Sequence, residues 1–198
     1  MQVIQATPEH ANEAHQLIYL SGPVSFEHIF NHNHGPHIQT FLNKAFTSKK
    51  TMFSHQHHYV IESHGIAIAT IGLFTRKQHD STFLDNAIWI WRHYGILSII
   101  KGLTFEFKLV KAPRKECLYL CHIAVNEAQR GKGIASKLVS FAEQEARSKG
   151  IETLSLDVAQ KNITAINTYL KLGFKQIRTN HSYNAILDNH IYMEKRLS

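Results

Sequence analysis

Apolar positions along the chain fall into short alternating runs and helix-spaced stripes, divided by glycine, proline and polar clusters. Val3-Ile4-Gln5-Ala6 reads as a first strand. Thr7-Pro8-Glu9 opens a helix, with Thr7 as its cap and Pro8 in the first turn, and Ser21-Gly22-Pro23 ends it after about Leu20. Helical stretches follow from about Ser25 to Asn31 and from about His37 to Thr47. His58-Tyr59-Val60-Ile61-Glu62 and the run from Ile66 to Phe74 are strands joined by Ser63-His64-Gly65, a hairpin signal.

Residues 75–116 change character. Phe83-Leu84, Ile88 and Trp91, then Ile96, Ile99, Ile100, Leu103, Phe107 and Val110 recur at helical spacing. Gly95 and Gly102 divide the stretch into two or three helices. Such an apolar face packs on a sheet, walls a substrate site or meets a second copy of the chain. Trp89 and Trp91 also suit a membrane surface.

The second half is more regular. The strand Leu118-Tyr119-Leu120-Cys121-His122-Ile123-Ala124-Val125 runs into Gln129-Arg130-Gly131-Lys132-Gly133-Ile134-Ala135. A helix then carries Ile134, Leu138, Phe141/Ala142 and Glu145/Ala146 at helical spacing, to a stop at Gly150. Thr153-Leu154-Ser155-Leu156-Asp157-Val158 alternates as a strand. Asn162 caps a last helix that carries Ile163, Ile166, Tyr169 and Leu170 and ends at Gly173-Phe174.

The strand–loop–helix junction at 125–136 carries the first candidate chemistry. A helix N-terminus has unpaired N–H groups and about half a positive charge, which suits a phosphate. Gly131 and Gly133 let the main chain come close to such a group, and Arg130 and Lys132 add positive charge. The loop lacks the Gly-Lys-Ser/Thr ending of a Walker loop and the three spaced glycines of a dinucleotide fingerprint. Taken alone it is a pyrophosphate-binding turn or a basic loop on a surface helix. Asn162 and Tyr169 share a helix face about 10 Å apart along the axis, so an amide and a phenol line one side of a long, thin ligand.

These segments together resemble the GNAT superfamily of N-acetyltransferases. Arg130, Gly133 and Ala135 meet its Arg/Gln-x-x-Gly-x-Gly/Ala signature, and Asn162, Tyr169, Gly173 and Phe174 meet its second motif. The likeness covers about residues 117–178, and 1–74 are compatible with it. It implies an α/β fold: a mixed, mostly antiparallel central sheet flanked by helices on both faces. The 198 residues form one domain with a helical insertion at 75–116, between the third and fourth strands. It implies acetyl-CoA as cosubstrate. The pantetheine arm would pair with the strand at Ile123, Ala124 and Val125. The N–H groups of Arg130, Gly131, Lys132, Gly133, Ile134, Ala135 and Ser136 would hold the pyrophosphate. Asn162 would bond the cofactor near its pantetheine part, beside its role as helix cap. Tyr169 would protonate the leaving thiolate, and a strand N–H would stabilise the oxyanion.

A base for the acceptor amine is less plain. The strand position that carries a carboxylate in some relatives holds Tyr119. His122 titrates in a useful range, but regular alternation points it away from the face of Tyr119 and Cys121, unless a bulge intervenes. Glu62, Glu116 and a water chain are the other candidates. The implied reaction is acetyl transfer to a primary amine by direct attack, on a small-molecule or peptide acceptor. Two other readings follow from the residues: an acetyl-CoA-binding sensor without turnover, and a nucleotide- or RNA-binding protein using the basic loop.

Composition narrows this only slightly. The formal net charge is +7, with basic residues scattered rather than massed, which favours a polyanionic cofactor over specific nucleic-acid binding. Cys117 and Cys121 lie on one strand about 13 Å apart, beyond the ~7 Å a disulfide spans. With no signal-peptide pattern and no apolar run near ~20 residues, the expectation is a cytoplasmic protein with no transmembrane segment. Fifteen histidines include the groups His32, His34, His37 and His55, His57, His58. Both resemble metal-ligand spacing, but neither has the Cys partners or helical HExxH geometry of a zinc site, so both read as exposed loop histidines and no metal is expected.

Overall fold

A computed structural model of the protein describes residues 2–31 and 35–197. Its strands are β1 (Val3–Gln5), β2 (His58–Ser63), β3 (Ile66–Phe74), β4 (Cys117–Val125), β5 (Thr153–Ala159), β6 (Lys175–Asn180) and β7 (His190–Arg196). They form one sheet in the order β1-β2-β3-β4-β5-β7-β6. Every neighbouring pair is antiparallel except β4 and β5. A parallel pair needs a crossover, and helix α6 (Ile134–Ser148) provides it. Ile134, Leu138, Val139, Ala142 and Ala146 form the buried stripe of α6 against the sheet. Gly150, at φ 66°, turns the chain at the end of that helix into β5. Leu138 is fully buried. Leu138→Ala should therefore cost about 2–5 kcal/mol of stability, read as a lower urea midpoint. A loss under about 1 kcal/mol would mean the α6 core is looser than described.

The opposite face carries helices α1 (Ala11–Leu20), α2 (Pro23–Phe30) and α3 (Ile38–Thr47). Ala14, Leu17, Ile18, Phe26, Phe41, Leu42 and Phe46 fill this second core. The sheet is thus covered on both faces, as expected. Of the expected first helix, Pro8–His10 form a 3-10 turn before α1, and the His10 ring accepts from the Thr7 N–H at 2.9 Å. In the hairpin, β2 and β3 pair from His58 opposite Gly72 to Ser63 opposite Ile66.

Two helices, α4 (Arg76–Tyr94) and α5 (Ile96–Lys108), occupy the span between β3 and β4. Thr75 caps α4, its hydroxyl accepting from the Gln78 N–H. The apolar stretch is only partly core. Ile90 and Leu109 are buried, whereas Leu84, Trp91, Ile96, Ile100, Leu103 and Phe107 are exposed. The reason is that α5 is apolar on more than one face. Only the side with Ile99 and Phe105 meets the α1–α3 core. Among the described residues, no helix is long and apolar enough to cross a membrane.

Candidate active site

Strands β4 and β5 part company midway. They pair only at Cys117 with Thr153, Leu118 with Leu154 and Tyr119 with Ser155. Beyond that point β5 stays paired with β7 to its end, and β4 stays with β3. The backbone of 120–125 on the β5 side is therefore left without a strand partner, a slot that an extended ligand arm can fill by hydrogen bonding. At the C-terminal end of β4 the chain enters a 3-10 turn, Glu127–Gln129, and then the glycine loop.

In that loop Gly131 has φ 78° and Gly133 φ 72°, the left-handed region that side chains resist. A Cβ at either glycine would meet no protein atom within 4 Å, so the loop faces open space. Gly133 caps α6 without any side-chain hydrogen bond. Its carbonyl takes the Lys137 N–H at 3.2 Å, leaving the first-turn N–H groups directed outward. Arg130 Nη1 reaches Glu127 at 3.5 Å and Lys132 Nζ reaches Gln129 at 2.8 Å, both on exposed surface. The arrangement can hold a diphosphate on main-chain donors with two exposed cations beside it.

Helix α7 (Ile163–Lys171) starts at Asn162, whose Oδ1 accepts from the Ala165 N–H at 3.1 Å. The amide thus caps the helix, and its nitrogen stays available. Tyr169 is 8% exposed, and its ring meets Phe174 edge-on at 5.7 Å. Its hydroxyl makes no hydrogen bond among the described residues, yet it is not among the sealed polar atoms. Burial pushes its ionisation well above the usual phenol range, so it stands as a protonated donor.

His122 does not follow the alternation of its strand. Ala69 pairs with Val125 and Thr70 with Ala124, but Gly72 pairs with Cys121, so His122 and Ile123 together oppose Ile71. This is a β-bulge, and His122 takes φ 49° within it. The bulge turns His122 onto the face of Cys121, correcting the orientation expected from a regular strand. It also returns Ile123 and Val125 to the α6-side core beside Leu118 and Leu120. His122 lies against Phe26 and Phe53, at 6.2 and 5.5 Å between ring centres.

The second expectation that fails concerns His58. It is fully buried rather than exposed, and stacks on His122 at 5.2 Å. Its Nδ1 faces the Ser54 carbonyl at 2.8 Å, and its Nε2 faces His122 Nδ1 at 3.0 Å. A carbonyl can only accept, so His58 Nδ1 carries the proton and its Nε2 accepts from His122 Nδ1–H. The remaining nitrogen, His122 Nε2, keeps its lone pair and has no partner among the described residues. Desolvation lowers both rings: His58 well below its usual value, and His122 to about 4. Gly72 makes the pair sterically feasible. A Cβ there would lie 2.8 Å from Cys121 Sγ and 3.1 Å from His58 Nε2.

The model of the acetyltransferase (GNAT) family matches residues 25–174. The chain belongs to the GNAT family. It is 34% identical over 79 residues to human N-acetyltransferase 8B, which covers 39% of this chain and 35% of that protein. It is 40% identical over 53 residues to streptothricin acetyltransferase of Escherichia coli, covering 27% of this chain and 30% of the relative. The chain thus spans about a third of the length of these curated relatives. An N-acetyltransferase structure from Staphylococcus aureus Mu50 has the same fold, with a TM-score of 0.71 at 20% identity over 98% of this chain and 100% of that one.

Other residues of this GNAT chain fall away from the parting. Glu62 pairs with His10 at 2.7 Å, and Glu116 is a solvent-facing partner of Arg114. A cavity of about 860 Å³ lies at the far end of the sheet, between Lys115, Glu152, Thr153 and Arg196, and takes no part in the slot. Of the first histidine group, His32 and His34 lie outside the described residues, and the His37 ring caps α3. Among the described residues, no cluster could hold a metal ion. Sequence reasoning missed His58 and Asp157. Asp157 follows the last β4–β5 pair by two residues, and its Oδ2 accepts from the Tyr119 hydroxyl at 3.2 Å. The polar residues Ser155 and Asp157, alternating with Leu154, Leu156 and Val158, were the available signal.

Proposed function

We propose that this protein transfers the acetyl group of acetyl-CoA to a primary amine by direct attack, with no covalent enzyme intermediate. The observation that carries this reading is the parting of β4 from β5, with the open glycine loop and the start of α6 following directly from the end of β4. The pantetheine arm pairs with β4 at Ile123, Ala124 and Val125. The N–H groups from Gly131 to Ser136, with Lys132, take the diphosphate, and the Asn162 amide nitrogen meets the pantetheine part; the Arg130 N–H, expected to join them, is bonded to the Glu127 carbonyl at 3.2 Å. The amine attacks the thioester carbon, the C–N bond forms, and the tetrahedral oxyanion is met by a β4 N–H. As the C–S bond breaks, the Tyr169 O–H proton passes to the thiolate.

His122 Nε2 takes the proton that the nitrogen sheds once the C–N bond has formed. A ring that stays neutral down to pH about 4 is a weak base, but bond formation makes that nitrogen strongly acidic, so a weak base suffices. A cytoplasm supplies the acetyl-CoA this reaction consumes.

The test is release of CoA thiol from acetyl-CoA by the purified protein against a panel of monoamines, polyamines, amino acids and peptides. Turnover with at least one acceptor is expected, with the product heavier by one acetyl group in mass spectrometry. Tight acetyl-CoA binding without thiol release from any acceptor would favour the sensor reading instead.

A further inference from the structure

Asp157 presents a carboxylate that the protein dehydrates without neutralising. Burial raises it to about 7. Oδ2 accepts from Tyr119 at 3.2 Å, and Oδ1 faces the Asn180 amide nitrogen at 3.4 Å. Both donors are themselves 7% exposed, and Asn180 is held by the Leu109 carbonyl at 2.8 Å. No Lys or Arg forms an ion pair with Asp157 among the described residues. Arg178 of β6 and Lys111, beyond α5, act on it only through space. The Arg178 guanidinium lies 4.1 Å from the centre of the Tyr192 ring instead. The remaining titratable groups near the pair are Cys121 of β4 and Tyr192 of β7, both acting on Tyr119.

Position completes the argument. Leu154, Leu156 and Val158 of β5 enter the α6-side core, so Ser155 and Asp157 face the other way. That is the face onto which the bulge turns His122. A carboxylate and a neutral imidazole therefore stand on one face of the sheet, on the two strands that part. A partly buried anion with two neutral donors and no ion-pair partner among the described residues is completed by a cationic ligand.

We propose that Asp157 binds the acceptor as its ammonium ion and takes the first of its two protons, which makes the acceptor a basic alkylamine. The inference rests on the acetyl-transfer reading and deepens it. An alkylammonium holds its proton to about pH 10 and cannot attack until it loses it. The ammonium gives one proton to the Asp157 carboxylate, leaving a neutral amine. That amine attacks the thioester, the second proton goes to His122 Nε2, and Tyr169 protonates the thiolate. Asp157 releases its proton to solvent, His122 returns its own to Tyr169, and the sum is one amide, one CoA thiol and one proton.

The experiment compares n-butylamine with methoxyamine, whose nitrogen is already unprotonated at neutral pH, in the wild type, Asp157→Asn and Tyr119→Phe. In the wild type, kcat/KM for n-butylamine should rise with pH through about 7 and then level, because the base must be ionised. Asp157→Asn should lose about 100-fold with n-butylamine at neutral pH and at most a few-fold with methoxyamine. Its n-butylamine rate should keep climbing with pH, as free amine accumulates. Tyr119→Phe removes a donor that favours the carboxylate, so its inflection should move to higher pH. Equal losses with both amines, or an inflection that survives Asp157→Asn, would overturn the assignment. A wild type that turns over methoxyamine but not n-butylamine would overturn it too, with acetyl transfer left standing. No acetyl transfer to any amine would remove the reading beneath it.

Discussion

Tyr169→Phe should lower kcat by about 100- to 1,000-fold while leaving acetyl-CoA affinity within a few-fold. The substitution deletes one oxygen. The phenyl ring keeps its edge-on contact with Phe174, and the lost hydroxyl had no hydrogen bond among the described residues. Folding stability should therefore hold, which separates a chemical loss from a structural one. Without the phenol, the thiolate must leave unprotonated or borrow a proton from water, and the barrier to C–S cleavage rises. Because burial keeps the phenol protonated, the wild type should show no fall in kcat from Tyr169 ionisation below about pH 10. The measurements are steady-state thiol release, calorimetric titration with acetyl-CoA and a thermal melt. Unchanged kcat in a stably folded variant would remove Tyr169 from the reaction.

The second large effect is on cofactor binding. Gly133→Val should weaken acetyl-CoA binding by about 10- to 100-fold, since one or two charge-assisted hydrogen bonds at roughly 1.5–3 kcal/mol each depend on that loop. Gly133 sits at φ 72°, where a β-branched residue is strained, so the loop must relax and redirect the N–H groups that open α6. A Cβ there would meet no protein atom within 4 Å, so the substitution acts through backbone strain and not through a clash with the protein. Calorimetry with acetyl-CoA and with CoA should show parallel losses, because both carry the diphosphate. Equal affinity in variant and wild type would place the diphosphate elsewhere.

How much of this was legible in the chain depended on what kind of signal each part emits. The α6 stripe, the hairpin and the loop glycines declare themselves locally, through periodicity and through backbone angles that only glycine adopts readily. Strand β6 did not stand out, because it is largely exposed and lacks an apolar alternation. His122 was singled out for its chemistry but misdirected, since a bulge is an extra residue in register and leaves no mark in composition. His58 read as one more loop histidine. Its burial comes from Phe46 and from a partner 64 positions away. Asp157 carries no local signal either: a carboxylate in an alternating strand looks solvated until the strands on either side are known.

The imidazoles that Gly72 accommodates belong to β2 and β4, which flank its own strand, so their bond crosses directly above a residue with nothing to obstruct it. Any side chain at 72 would press first on the Cys121 thiol and then crowd His58 Nε2, so the bond between the two imidazoles depends on a residue that belongs to neither of their strands.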